Sequence, residues 1–573
     1  YSSTYEVTIP AGAISDEVMN ETTSAKTITF KTASSGGGGT TPPSGGDGGT
    51  PTKPDDKKDK EEQKEIVSDV EDIIKDIKDE DITSATGEEL DNLAQAISDK
   101  LADAANLINT IKDPEAAADL AKALIEKSGA LAGKLEAGGK YETYDSLIKE
   151  IKKVSDAVMN NISTLEIGKD NITAADGKVT AKVKLGEAEK GKLVDKATEE
   201  KLDLIASTAQ KLNKALKDAG LDEIVEPVLC LDVNTDADNT SASVDVPSNL
   251  ILAMGQKGIK KLNVVSDVAT FSIPTDAIDV KEGSSLVLNS EKIDKETLPE
   301  EQKELVGDAP VFDLFFTIDG EKVSKFNKFI GVSIPYTLKE GEDPEKITVF
   351  YINEKGELEN IIGSYDEKTK SVNFETNHFS QYTIKANNIT FSDVDSKFWA
   401  SNYIEVMASK GVIKGIGDGS TFAPNNNVTR AEFAAMIIRE FKLFDESAPN
   451  NFKDVKETDW FYPEVTAAAK LGIVQGRPGG TFAPNDKITR EEMAKMLSNA
   501  LTIQLGKKLP ANVDALLESF VDKDQIADYA KDSVAMGVRF NIFSGRPNGT
   551  FAPKDNANRA EASKIIYMLF NLD

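Results

Sequence analysis

Apolar positions in this 573-residue chain follow two different periods, and the places where the period switches mark its organisation. Tyr5, Val7 and Ile9 alternate with polar residues, and Ile28 and Phe30 do so again, so two strands are expected at the start. Residues 33–59 then lose their apolar side chains. Gly36 to Gly39, Pro42-Pro43 and the charged run Asp55 to Lys58 cannot bury a core, and they read as a flexible linker. From residue 60 to 225 the helical period takes over. Ile66, Val70, Ile73 and Ile77 recur on one face, then Leu90, Leu93, Ile97 and Leu101, then Tyr144, Leu147, Ile151, Val154 and Val158. Thr86 with Glu89 reads as a capping box, and Asp113-Pro114 as a cap followed by a first-turn proline. A strand-like patch (Val179, Val183, Leu185) precedes a last helix carrying Leu202, Ile205, Leu212 and Leu216 and stopping at Gly220. Between 226 and 388 the period is two. Phe271 and Ile273 lead to Pro274, Val332 and Ile334 to Pro335, and Ile347, Val349 and Tyr351 turn at Asn353–Gly356 into Leu358 and Ile361. A β-sandwich-like domain is expected there, after a helical bundle that acts as a spacer.

Composition narrows the chemistry. Lys and Arg number 67 against 97 Asp and Glu, a formal net charge of −30, which opposes nucleic acid as a main partner because phosphate neutralisation needs a basic footprint. A single cysteine, Cys230, permits no internal disulfide, and a single histidine, His378, permits no histidine cluster. Most zinc sites and nucleophile–histidine arrangements with a spare residue fall away. Asp232, Asn234, Asp236 and Asp238 alternate as calcium-loop ligands do, but Ala237 stands where the turn glycine belongs and Ser243 where the bidentate Glu belongs. An acidic solvated turn is the better reading. No catalytic residues, metal or cofactor are expected, and the chain reads as a non-enzyme. It has no run of 18 apolar residues, no membrane span and no basic-then-apolar leader. It also opens inside a strand and without Met, so it is expected to be the carboxyl-terminal part of a longer, secreted protein.

The last 185 residues hold three copies of one pattern. The first has Phe391-Ser392-Asp393-Val394, Trp399, Gly415, Thr421-Phe422-Ala423-Pro424 and Thr429-Arg430-Ala431-Glu432. The second has Phe452-Lys453-Asp454-Val455, Trp460, Gly476, Thr481-Phe482-Ala483-Pro484 and Thr489-Arg490-Glu491-Glu492. The third has Phe520-Val521-Asp522, Tyr529, Gly545, Thr550-Phe551-Ala552-Pro553 and Asn558-Arg559-Ala560-Glu561. The aromatic-to-glycine spacing is 16 positions and the Phe-to-Arg spacing eight in all three.

Each copy starts a helix with a capping box, Thr429 with Glu432, Thr489 with Glu492 and Asn558 with Glu561. An arginine occupies each first helical position, where the dipole disfavours a cation. A guanidinium fork beside free backbone N–H groups suits a carboxylate, so Arg430, Arg490 and Arg559 are expected to bind an anionic ligand. The glycine turns at Gly415, Gly476 and Gly545, with Arg477 and Arg546 beside two of them, allow close backbone approach. Trp399, Trp460 and Tyr529 suit either packing or contact with a sugar ring. All seven arginines and both tryptophans lie in these repeats.

With Thr429-Arg430-Ala431-Glu432 and its two counterparts, the repeats closely resemble S-layer homology domains. The resemblance implies a mostly α, pseudo-threefold unit that holds a protein non-covalently to secondary cell wall polysaccharide, typically at a pyruvylated amino sugar. It implies that the signature arginines meet the pyruvate carboxylate while the glycine loops shape the groove. Asn558 and Tyr529 depart from the pattern in the third copy. The stretch Val332–Tyr382 looks like a β domain found ahead of wall anchors, and Val7 to Ala13 looks like the tail of a bacterial Ig-like domain. The resulting expectation is a multidomain α+β chain: an Ig-like fragment at 1–32, the linker 33–59, the helical spacer 60–225, a β-rich domain at 226–388, and repeats at 389–446, 447–506 and 517–573. It would sit at the cell surface, with self-association in a surface layer as a further implication. The alternative is a surface polysaccharide hydrolase with its catalytic domain upstream of Tyr1.

Overall fold

The computed structural model describes residues 4–9, 26–31, 54–221, 225–235, 238–445 and 447–572. The chain divides into two compact units, residues 1–60 and 61–573. In the first, strand Thr4–Ile9 pairs antiparallel with Lys26–Lys31, placing Tyr5 opposite Phe30 and Val7 opposite Ile28. The expected linker ends sooner than its charge suggested, because a helix begins at Pro54 and runs to Asp76. Most of the linker, and part of the acidic turn at Asp236, lie outside the described residues.

In the second unit, helices Glu88–Ile108, Pro114–Ala137, Tyr141–Ser163 and Lys196–Asp218 pack apolar faces together. Asp113 caps as expected, its carboxylate accepting from the N–H groups of Glu115 and Ala116 at 3.0 and 3.2 Å. The Thr86 capping box does not form. Gly87, at φ 58°, is the N-cap instead, with no side-chain cap.

Residue 225 does not separate two cores. Strand Lys178–Lys182 leaves the helical region and pairs parallel with Ser241–Pro247, joining a nine-stranded sheet. A six-stranded sheet faces it, and one apolar core runs from Val70 to Ile384 through helices and both sheets. Phe271 of one sheet meets Phe316 of the other edge-on at 5.2 Å, with Phe326 and Phe379 completing the cluster. The arrangement is α+β, and its sheets are mixed because Val228–Asp232 also pairs parallel with Lys261–Val265. The predicted hairpin forms, with Tyr351 opposite Glu359. His378 lies against Tyr351 at 4.6 Å, and burial lowers its pKa.

The repeats form a second core, from Phe391 to Leu569. They are fixed to the rest of the unit by polar contacts as well as packing. Lys410, 2% exposed, donates to the carbonyls of Ile347 and Gly363. Lys346 pairs with Glu405 at 2.6 Å. Tyr567 donates to Glu345, and Arg539 grips Asp145 with both NH groups while stacking on Tyr141. Glu440 is half-buried nearby, its enclosed Oε2 without a partner, and desolvation pushes its carboxyl up to about 8.

That burial has a pH signature. The folded state keeps Glu440 protonated where the unfolded chain, near the ordinary 4.5, releases the proton. Its contribution is complete below about pH 4.5 and is lost as pH rises towards 8. Glu440→Gln is therefore expected to match the parent in denaturant midpoint at pH 5 and to exceed it by pH 8. Glu440 raises the pKa of Lys410 and Lys442, which burial lowers to about 7 and about 8, so the comparison reads Glu440 together with its coupling to these two lysines. A midpoint difference that stays flat with pH would show Glu440 to be ionised in the fold.

Candidate functional site

Three capped helices, Arg430–Glu440, Arg490–Leu505 and Arg559–Phe570, build the repeats' interior, and all three predicted capping boxes form. The first turns are not open to a ligand. The N–H groups of Arg430 and Ala431 donate to the carbonyls of Asp486 and Pro484, those of Arg490 and Glu491 to Asp555 and Pro553, and those of Arg559 and Ala560 to Asn426 and Pro424. Each repeat thus satisfies the helix start of its neighbour. Val428 N–H donates to Ala557, Ala557 to Ile488 and Ile488 back to Val428, closing a three-membered backbone ring at 2.9–3.1 Å.

The signature arginines complete this closure. Arg430, Arg490 and Arg559 are only 5, 6 and 5% exposed. Their Nε atoms donate to the carbonyls of Phe482, Phe551 and Phe422, each in another repeat, at 3.0, 2.7 and 2.7 Å. Their NH1 groups reach Glu492, Glu561 and Glu432 at 3.1, 3.2 and 3.1 Å. Each of these glutamates is the capping-box residue of the repeat it belongs to. One carboxylate oxygen accepts from its own cap N–H while the other accepts the neighbour's arginine. Burial pulls each guanidinium below its ordinary pKa, opposed by that glutamate, and each still lies 4.3–5.0 Å from a Phe ring. The premise of a cation beside free N–H groups is therefore corrected. The dipole penalty at the first helical position is offset by a carbonyl and a carboxylate delivered from the next repeat.

The other arginines are also paired: Arg439 with Glu464, Arg477 with Asp486, Arg539 with Asp145 and Arg546 with Asp555. Their confinement to the repeats reflects carboxylates to be held, so the census alone does not identify a ligand. The glycines have packing reasons too. A Cβ at Gly415 would stand 2.4 Å from the Gly419 carbonyl oxygen, at Gly476 2.8 Å from the Phe452 ring, and at Gly545 3.0 Å from Phe520.

What stays open is a groove of about 340 Å³ that takes one expected residue from each repeat: Gly415, Trp460 and Arg559. Trp460 is 57% exposed, with Arg439 5.7 Å from its ring centroid. Glu464 holds Arg439 in turn, at 3.1 and 2.7 Å. Arg559 spends three of its five N–H donors on protein, the third on the Lys414 carbonyl at 2.6 Å, so two remain. Lys414 lines the same groove with an exposed side chain. Aromatic face, cation and backbone are thus brought together. Tyr529 and Trp399, at the matching positions, are 53 and 54% exposed. Tyr529 donates to Glu491 at 3.1 Å, and burial, then Glu491, pushes its hydroxyl pKa up. Trp399 lies beside Phe398 and Tyr403.

Sequence reasoning gave no role to the repeat aspartates. Asp393, Asp454 and Asp522 each accept two N–H groups, from Phe422 and Ala423, Phe482 and Ala483, and Phe551 and Ala552, at 2.6–2.8 Å. They hold Ala423, Ala483 and Ala552 at φ 55–58°, a left-handed conformation that alanine seldom adopts. The signal was present as Asp recurring 28 or 29 residues before each Phe.

Comparison with known proteins agrees with this architecture. The S-layer homology domain family matches residues 390–434, 451–494 and 519–563. An amylopullulanase of Thermoanaerobacterium thermosulfurigenes is 39% identical over 239 residues, 42% of this chain and 12% of that protein. The exoglucanase XynX of Acetivibrio thermocellus is 41% identical over 181 residues, 32% of this chain and 16% of that protein. The S-layer protein sap of Bacillus anthracis is 30% identical over 178 residues, 31% of this chain and 21% of that protein. The chain thus spans between 12% and 21% of the length of these relatives. Among the described residues no helix is long and apolar enough to cross a membrane. The threefold arginine closure, the groove and these matches lead to one conclusion: the chain is a bacterial cell-surface protein carrying three S-layer homology domains.

Proposed function

We propose that the three domains hold this chain to the cell wall by binding an acidic secondary wall polysaccharide non-covalently, and that the residues ahead of them serve as a non-catalytic spacer or displayed module. The observation that carries this reading is the groove joining Trp460, Arg559 and Gly415. A sugar ring fits against the exposed indole, and the two spare Arg559 donors with the Lys414 ammonium suit a carboxylate such as that of a pyruvylated amino sugar. With a net charge of −30, long-range attraction of a polyanion is absent, so affinity rests on local geometry. The test is retention of the chain on purified wall sacculi before and after the wall polysaccharide is stripped. Retention is expected to vanish with the polysaccharide. Retention on stripped sacculi would identify peptidoglycan or protein as the partner instead. S-layer assembly belongs to the same proposal, in line with relatives named S-layer proteins.

A second reading is favoured by the relatives named as glycosidases. The amylopullulanase match, 239 residues long, exceeds the stretch from residue 390 to the end of the chain, so it is not confined to the repeats. In this reading the chain is the anchoring part of a surface polysaccharide hydrolase whose catalytic domain lies upstream of Tyr1. Incubation of the 573-residue chain with pullulan, xylan and β-glucan is expected to release no reducing sugar under either reading. Release would place catalysis within these residues.

A further inference from the structure

A second cavity, about 410 Å³, opens between the β-rich region and the first repeat. It shares Lys414 and Arg439 with the groove that holds Trp460, so the two are neighbours, together termed the trough. Two aromatic side chains line the new part while facing solvent: Phe329, 40% exposed, and Phe444, 54% exposed. Phe329 is turned outward by a register shift in strand Lys325–Pro335, between Lys325 and Ile330. That irregularity leaves Asn327, Lys328 and Phe329 all exposed in a strand whose neighbours alternate, and bulges of this kind re-aim side chains. Asn377 also lines the cleft with an exposed side chain, together with carboxylates of Glu359 and Glu375 and the amines of Lys414 and Lys442. Charges of both signs, an amide and two aromatic faces match a neutral, hydroxyl-rich ring better than an anion or a purely apolar ligand.

We infer that this cleft is a second saccharide subsite, which takes the uncharged sugar residues adjoining the acidic one held in the groove beside Trp460. The inference rests on the wall-polysaccharide reading above and extends it, because the β-rich region then contributes to binding and the wall chain bridges the junction that Lys410, Lys346 and Tyr567 already fix. Both parts of the trough are within the volume range of small-ligand sites.

The test uses the full chain and wall polysaccharide released from sacculi, fractionated into single repeating units and long chains, with affinity measured by titration calorimetry. The parent is expected to prefer long chains by about tenfold or more, since each added ring contact contributes independently. Phe329→Ser with Phe444→Ser is expected to cut that preference below about threefold while the single-unit affinity stays unchanged. Phe329→Tyr with Phe444→Tyr, which keeps the aromatic faces, is expected to restore it, showing that the loss was not misfolding. Preference that survives the double serine change, or a parent with no preference for length, overturns the subsite and leaves the groove reading standing. Failure of the parent to bind either fraction overturns both, and Trp460→Ala, expected to lose both fractions, shows that the trough is being read.

Discussion

Arg490→Ala is expected to lower the stability of the repeats by about 3–5 kcal/mol, the cost of removing one member of a buried, hydrogen-bonded charge pair. The substitution leaves the Phe551 carbonyl without its donor and the Glu561 Oε1 without its cation, both near the closure between the second and third repeats. Because both tryptophans, Trp399 and Trp460, belong to the repeats, their fluorescence in a guanidinium titration reports this part of the chain and not the helical or sheet regions. Arg490→Lys is expected to fall between parent and alanine variant, retaining charge but losing the Nε bond and the planar fork. The cost follows from geometry that the ligand hypothesis did not require: each arginine ties a helix start to the turn and the cap of another repeat, and the three ties form a cycle. Breaking any one opens a ring, so Arg430→Ala and Arg559→Ala are expected to behave alike despite their separation in sequence. An Arg490→Ala protein with unchanged midpoint and abolished wall retention would reverse this assignment and make the arginine chiefly a ligand group.

The contrast between what was legible and what was not has a physical origin. Capping boxes are local, since Thr429 and Glu432 lie within one turn, and they form as read. The arginine partners are not local. Phe482 and Glu492 lie 52 and 62 residues from Arg430, so an unfavourable cation at a helix start was visible while the groups that stabilise it were not. The same limit applies to the domain boundary at 225. The patch of Val179, Val183 and Leu185 reads as a short strand beside a helical bundle, but the parallel pairing of Lys178–Lys182 with Ser241–Pro247 requires a long crossover, and the partner strand lies beyond the apparent break. The Thr86 box failed for a local reason that the pattern hid, namely that Gly87 can take the positive φ that starts the helix one residue later. The exposed aromatics were left open between core and contact, because a Trp sixteen positions before a glycine carries no information about which face it presents.

Trp460→Ala separates the binding role from the scaffold. The indole is more than half exposed and packs mainly on its own neighbour Phe461 and on Arg439, so its loss is expected to change stability by no more than about 0.5 kcal/mol, as for other surface positions. Retention on sacculi, in contrast, is expected to fall by roughly thirtyfold, about 2 kcal/mol, the scale of a buried aromatic anchor in a ligand interface. Trp399→Ala and Tyr529→Ala resolve whether the two matching positions also bind. Tyr529 already donates its hydroxyl to Glu491, which Lys554 also holds, so its ring is committed to a protein network in a way that Trp460 is not. The expected order of loss is therefore Trp460 first, with Tyr529→Ala costing stability before it costs binding. Equal binding losses at all three positions would mean that the three repeats share the load and that the asymmetry in their polar partners is without consequence. No loss at Trp460 would remove the aromatic face from the site and leave Lys414 and Arg559 to act without it.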